Sequence, residues 1–173
     1  MGTDKALLPV SGSAMAAAVA RIVEQAAGSA TLVGSDPAHS LLGYPLLCDN
    51  WPGQGPLGAI LSVLGHTEAE ANLIVACDMP GLTAEFLERL LAAMEASRPD
   101  VAAAAGPAGR IEPLCAVWRR TARRAIQRAF ATGERGVMPL LTRPAFRIEL
   151  VETSKAVYFQ NVNTPEDWAA CDR

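Results

Sequence analysis

Aromatic residues make up only 5% of this 173-residue chain and charged residues 19%. No apolar run approaches the roughly 18 residues that a membrane-spanning helix needs, and nothing resembles a secretion signal. The four cysteines, Cys48, Cys77, Cys115 and Cys171, stand far apart without a Cys-x-x-Cys pair. That spacing excludes a zinc knuckle and a dense disulfide framework. Eighteen acids against fifteen Lys and Arg leave a formal charge of −3, too even a balance for a strongly basic nucleic-acid binder or an acidic disordered tail. There is no Gly-x-Ser-x-Gly elbow and no Walker lysine motif, and His39 and His66 have no catalytic partner by sequence. What these absences leave is a globular domain, expected in the cytoplasm, with neither nucleic acid nor membrane as partner. At roughly 150 residues per domain, 1–173 reads as a single domain.

Half of the residues are hydrophobic, and Ala, Leu and Val dominate them, which suggests helices packed closely on a sheet. Met15, Val19, Ile22, Val23 and Ala26 follow the helical period, and Gly28 stops that helix. Short strands are expected at Ala30–Val33 and Pro45–Leu47. Pro56 is well placed in the first turn of a helix reaching about Gly65. Leu73–Cys77 is apolar on both faces, as a strand covered by helices on both sides should be. Thr83 caps an amphipathic helix to about Ala96. Val101–Ala105 and Leu114–Trp118 flank a Gly-Pro-rich turn as paired strands. Helices at Thr121–Thr132 and Val137–Leu141 and a strand at Arg147–Val151 follow, and a last helix begins at Thr164-Pro165. Alternating strands and helices indicate a mainly parallel α/β sheet, in which ligands sit beyond the carboxyl ends of the strands.

Several residues in suitable places have two readings each. Asp78, one step past a buried strand, is either a hard-oxygen ligand for Mg²⁺ or a turn aspartate before Pro80. Lys5 is either a compact cation for phosphate or a solvated surface residue. Gly53-Gln54-Gly55-Pro56-Leu57-Gly58 is a glycine-rich loop entering a helix. Its N–H groups suit anions or base-edge acceptors, or it is an ordinary tight turn. Asn161 and Asn163 put two amides on one side of an extended segment, either for a ligand or for local capping. Glu112 is either a pocket wall or the start of an edge strand. Arg119, Arg120, Arg123 and Arg124 read as a solvated helix face, and Cys77 and Cys115 as small core residues inside strands.

Taken in order, Met1-Gly2-Thr3-Asp4-Lys5-Ala6-Leu7-Leu8, Gly55-Pro56-Leu57-Gly58, Cys77-Asp78-Met79-Pro80, Arg110-Ile111-Glu112-Pro113-Leu114 and Asn161-Val162-Asn163-Thr164-Pro165 resemble the molybdenum cofactor guanylyltransferases of MobA type. The resemblance runs the length of the chain. It implies a three-layer α/β/α sandwich with a mostly parallel, Rossmann-like sheet of the nucleotide-diphospho-sugar transferase kind. It also implies transfer of GMP from GTP to molybdopterin, or to its molybdenum-loaded form, with release of pyrophosphate. A cytidylyltransferase, another small-molecule nucleotidyltransferase and an inactive nucleotide-binding module are the alternatives. By the same resemblance Asp78 holds Mg²⁺ on the nucleotide phosphates and Lys5 neutralises charge there. Gly55, Pro56, Leu57 and Gly58 take the guanine side, with Asp49 beside them, and Glu112, Asn161 and Asn163 face the pterin. A molybdenum-insertion protein and recipient apo-enzymes are the implied protein partners. One element is expected to be missing, because the family's first strand and Leu-Ala-Gly-Gly loop have no counterpart ahead of Met1-Gly2-Thr3-Asp4-Lys5.

Overall fold

The computed structural model describes residues 4–10 and 12–160. From the amino end it runs through a 3-10 turn at Lys5–Leu7, strands β1 (Pro9–Val10) and β2 (Ser13–Ala14) and helix α1 (Met15–Ala27). Strand β3 (Leu32–Gly34), 3-10 turns at Pro37–Leu42 and strand β4 (Leu46–Cys48) follow. Then come α2 (Pro56–His66), β5 (Ala71–Val75), α3 (Ala84–Ser97), β6 (Val101–Ala105) and β7 (Ile111–Arg119). Helices α4 (Arg123–Ala131) and α5 (Met138–Leu141), strand β8 (Ile148–Glu152) and a 3-10 turn at Ala156–Phe159 complete it. The 3-10 turns at Pro37–Leu42 carry no period that the sequence reading found. The helix expected from Thr164 lies outside the described residues.

The main sheet has the order β5-β7-β6-β8, with β3 and β4 as a separate parallel pair and β1 and β2 as a small antiparallel one. Within the main sheet β6 and β8 are parallel, whereas β7 runs antiparallel to both β5 and β6. The alanine tract is its centre, because every residue from Val101 to Ala105 is completely buried. Alternation sends Val101 and Ala103 to one face and Ala102 and Ala104 to the other. On β7, Ala116 and Trp118 share the first face and Cys115 and Val117 the second. Helices α2, α4 and α5 cover the first face, through Leu57, Ile60, Leu64, Ile126 and Leu140 among others. On the second lies α3, through Phe86, Leu87, Leu90 and Met94, with Ile22, Val23 and Ala26 of α1 beside it. These are the three expected layers. Burying each large apolar side chain stabilises the fold by about 1.5–3 kcal/mol, and the small alanines between the layers let the helices approach closely.

Two departures from expectation concern the strands that lead to the site. The strand runs over Ala71–Val75, starting and ending two residues before the expected Leu73–Cys77, and Leu73, Ile74 and Val75 are half-buried rather than fully covered. Among the described residues β5 pairs on one edge only, with β7. Cys77 therefore stands beyond the strand, half-buried, while Cys115 is in β7 and buried as expected. Glu112 does not begin an edge strand: it lies on β7, between β5 and β6. The register there shifts from Ala103↔Ala116 to Ala104↔Glu112. Pro113, which has no N–H to give a ladder, falls within this irregularity, a usual place for proline inside a sheet.

Candidate functional site

Lys5 is presented by a short turn that its neighbour holds in place. Asp4 caps this turn, accepting a hydrogen bond at Oδ1 from the Ala6 N–H at 3.0 Å. Its Oδ2 is 2.6 Å from His39 Nε2. His39, which had no partner by sequence, thus pairs with a residue 35 positions away. Its ring lies against Gly34, where a Cβ would come within 2.7 Å of Nδ1. Burial at the turn works against ionisation of Asp4, but the His39 and Ala6 hydrogen bonds outweigh it and hold its carboxyl below the usual range.

Beyond β5, Cys77-Asp78 is brought up to the same turn. The Cys77 thiol is pushed up to about 11, by burial first and then by the carboxylates of Asp78 and Asp4. Cys77 is thus a poor nucleophile near neutral pH. Asp78 also acts on Glu112, whose pKa is raised by burial, lowered in part by Arg110 and raised again by Asp78. Glu112 is 8% exposed and forms an ion pair of 2.6 Å with Arg110. Gly81 packs on the Val157 carbonyl, with no room for a side chain, and Gly106 packs on the Phe159 ring. The 3-10 turn at Ala156–Phe159 is in this way fastened to both loops, and the Tyr158 hydroxyl lies 3.1 Å from Thr83 Oγ1. Asn161 and Asn163 follow this turn and lie outside the described residues.

The glycine-rich loop is built around two glycines with positive φ. Trp51-Pro52-Gly53-Gln54 is a tight turn closed by Gln54 N donating to Trp51 O at 3.0 Å, with Gly53 at φ 72°. Pro then Gly at the two central positions is the type II pattern. Gly55 has φ 80° and ψ 176°, open only to glycine, and a Cβ there would come within 3.0 Å of the Arg135 carbonyl. That same carbonyl accepts from Leu57 N at 3.1 Å, and Gly58 N donates to Gly55 O at 3.1 Å. The N–H groups of Leu57 and Gly58 at the start of α2 are therefore satisfied within the protein, and Pro56 has none. This corrects the expectation that they would wait for an anion or a base edge. Asp49 serves the loop directly: its Oδ1 accepts from Trp51 N at 2.9 Å and lies 2.8 Å from Ser62 Oγ. Its own N–H donates to Gly34 O at 3.3 Å. The same glycine supports the His39 ring, so the Lys5 turn and the loop are braced on one strand end.

Comparisons with known proteins place the chain in a family. Residues 1–149 match the model of the MobA-like NTP transferase domain. The chain belongs to that family. It is 33% identical to the molybdenum cofactor guanylyltransferase of Rhodobacter capsulatus over 99% of this chain and 88% of that one. With the same enzyme of Shewanella sp. (strain ANA-3) it shares 30% over 95% and 84%. Among solved structures, the molybdopterin-guanine dinucleotide biosynthesis protein A of Archaeoglobus fulgidus superposes with a TM-score of 0.80 at 23% identity, over 99% of this chain and 90% of that one. The 2-C-methyl-D-erythritol 4-phosphate cytidylyltransferase of Thermus thermophilus gives 0.76 at 18%, over 97% and 92%. The nucleotidyltransferase therefore has the three-layer α/β fold that its motifs led us to expect. No helix among its described residues is long and apolar enough to cross a membrane.

Sequence reasoning missed His39, Ser62 and Arg135, and named Gln54 only as part of the glycine-rich loop. No local signal marks the first two. Arg135 stands in Gly133-Glu134-Arg135-Gly136, between helices, where nothing by sequence relates it to a loop 81 positions earlier.

Proposed function

We propose that this nucleotidyltransferase moves GMP from GTP to molybdopterin, or to its molybdenum-loaded form, giving the guanine dinucleotide cofactor and pyrophosphate. One observation carries the reading. Past the end of β5, Lys5 and Asp78 both act electrostatically on Cys77 and Asp78 acts on Glu112, while the loop 53–58 is braced to the Lys5 turn through Gly34.

The incoming phosphate of molybdopterin is already ionised near neutral pH, so no covalent nucleophile and no triad is needed. Its oxygen attacks the α-phosphorus of GTP. The bond from that phosphorus to the bridging oxygen breaks, and the electron pair leaves with pyrophosphate. The protein's part is to position and to neutralise charge. Lys5 stabilises the negative charge that builds on the α- and β-phosphates. The loop 53–58, with Gly55, Pro56, Leu57 and Gly58 shaping it and Asp49 bracing it, takes the nucleoside side, and Glu112, Asn161 and Asn163 take the pterin. A half-buried carboxylate just past the end of a strand suits a hard cation that completes its shell with phosphate oxygens and water. Asp78 would hold Mg²⁺ in that way, and the ion would supply further charge neutralisation on the phosphates. The reaction belongs in the cytoplasm, where GTP is available. A molybdenum-insertion protein and the recipient apo-enzymes are its proposed protein partners.

Pyrophosphate release tests the reading. The expected result is release from Mg-GTP only when molybdopterin is supplied, and much less from Mg-CTP. Equal turnover of the two nucleotides would remove the guanine assignment, and no turnover of either would remove the reaction.

A further inference from the structure

Gln54 is held more firmly than an exposed loop residue needs to be. The turn hydrogen bond to Trp51 O fixes its backbone from one side. Gly55, packed on the Arg135 carbonyl, fixes it from the other. Its side chain is engaged as well, because Arg135 Nε donates to Gln54 Oε1 at 2.9 Å. Arg135 is itself anchored. Its Nη1 donates to the carbonyls of Phe130 and Glu134, each at 2.9 Å, and its guanidinium lies 4.1 Å from the centre of the Phe130 ring. Phe130 in turn packs on Trp51, with ring centroids 5.1 Å apart, closing the circle at the first residue of the turn.

This arrangement decides the orientation of an amide. A guanidinium can only donate, so Gln54 must offer it the oxygen, and the two N–H donors of the side chain remain for something else. Guanine presents acceptors at O6 and N7, whereas adenine has a donor, its N6 amine, in place of O6. An amide whose oxygen is held by Arg135 therefore has donors to offer the first base and opposes the second.

We propose that Gln54, oriented by Arg135, is a specificity-determining residue that donates to the O6 edge of guanine. This rests on the reading that loop 53–58 takes the nucleoside side. In it, Gln54 contacts the base and Arg135 is a positioning residue.

The test is calorimetric titration of the full chain with Mg-GTP, Mg-ITP and Mg-ATP, for the native protein and for Gln54→Glu. Glutamate keeps an oxygen for Arg135 but loses the NH₂ donor, and its added charge acts equally on three equally charged nucleotides. The preference for GTP over ATP should fall about tenfold, the worth of one hydrogen bond, and that for ITP, which keeps O6, should fall with it. Arg135→Lys, which cannot make the Nε bond, should lower both preferences about threefold while Gln54 is intact, which a merely structural loss would not do. Unchanged ratios in Gln54→Glu overturn the proposal, as does a fall for GTP without one for ITP. If the native protein binds none of the three, the nucleotide reading itself fails.

Discussion

Strands β5 and β6 both pair with β7 in one sheet, yet one is the heart of the core and the other its margin. β6 has partners on both edges, and each of its residues, Val101 to Ala105, is 0% exposed. β5 pairs on one edge among the described residues, and Leu73, Ile74 and Val75 stay half-buried. The proposed chemistry lies past the end of β5, where Cys77 and Asp78 come up to the Lys5 turn. Stability and the proposed chemistry thus fall on different strands. A carboxylate at the end of a deeply covered strand would be costly to keep ionised, whereas Asp78 is only half-buried.

Substituting Asp78 separates the two roles most sharply. Asp78→Asn should lower turnover by about a hundredfold to a thousandfold, the range seen when a charge-stabilising group is removed from an active site. Its thermal midpoint should stay close to the native one. A variant with native turnover would take Asp78 out of the reaction, and one that unfolds would show that the end of β5 also carries the fold. Ala103→Leu is the converse, since it adds volume where the layer of α2, α4 and α5 closes on β6. It should cost about 1–3 kcal/mol, or roughly 2–4 °C of thermal midpoint per kcal/mol, with native turnover well below the transition. No loss of stability would mean that the core is looser there than the burial indicates.

Alkaline pH gives the smallest and most gradual effect. Cys115 on β7 is pushed up to about 12 by burial and then by Glu112, and Cys77 to about 11. The ordinary value for both thiols is 9.0, so the unfolded chain loses these protons first. The stability they contribute is complete below pH 9 and is lost as pH rises through the folded-state values. Denaturant midpoints measured from pH 8 to 11 should fall steadily above 9. Cys115→Ala should flatten the curve more than Cys77→Ala if the deeper strand is the better shielded.

Much of the fold was legible where a local rule settles the structure. Thr83 caps α3 through the Phe86 N–H, Gly28 ends α1 with φ 78°, and Pro56 stands in the first turn of α2. The motifs around Lys5 and Asp78 marked one side of the site because they sit at the ends of short elements. What escaped depends on packing between distant segments. Nothing local says that Arg135 will satisfy Leu57 and so occupy the helix start, or that His39 will cross to Asp4. Apolar content made β5 look covered on both faces, but burial depends on what lies along its edges as well as on its own side chains.

The most direct test of the whole account is to identify the product. The chain, given Mg²⁺, molybdopterin and an equimolar mixture of GTP and CTP, should yield a pterin dinucleotide carrying GMP by mass spectrometry, with pyrophosphate in equal amount. A product carrying CMP, or unchanged molybdopterin in the presence of folded protein, would contradict it.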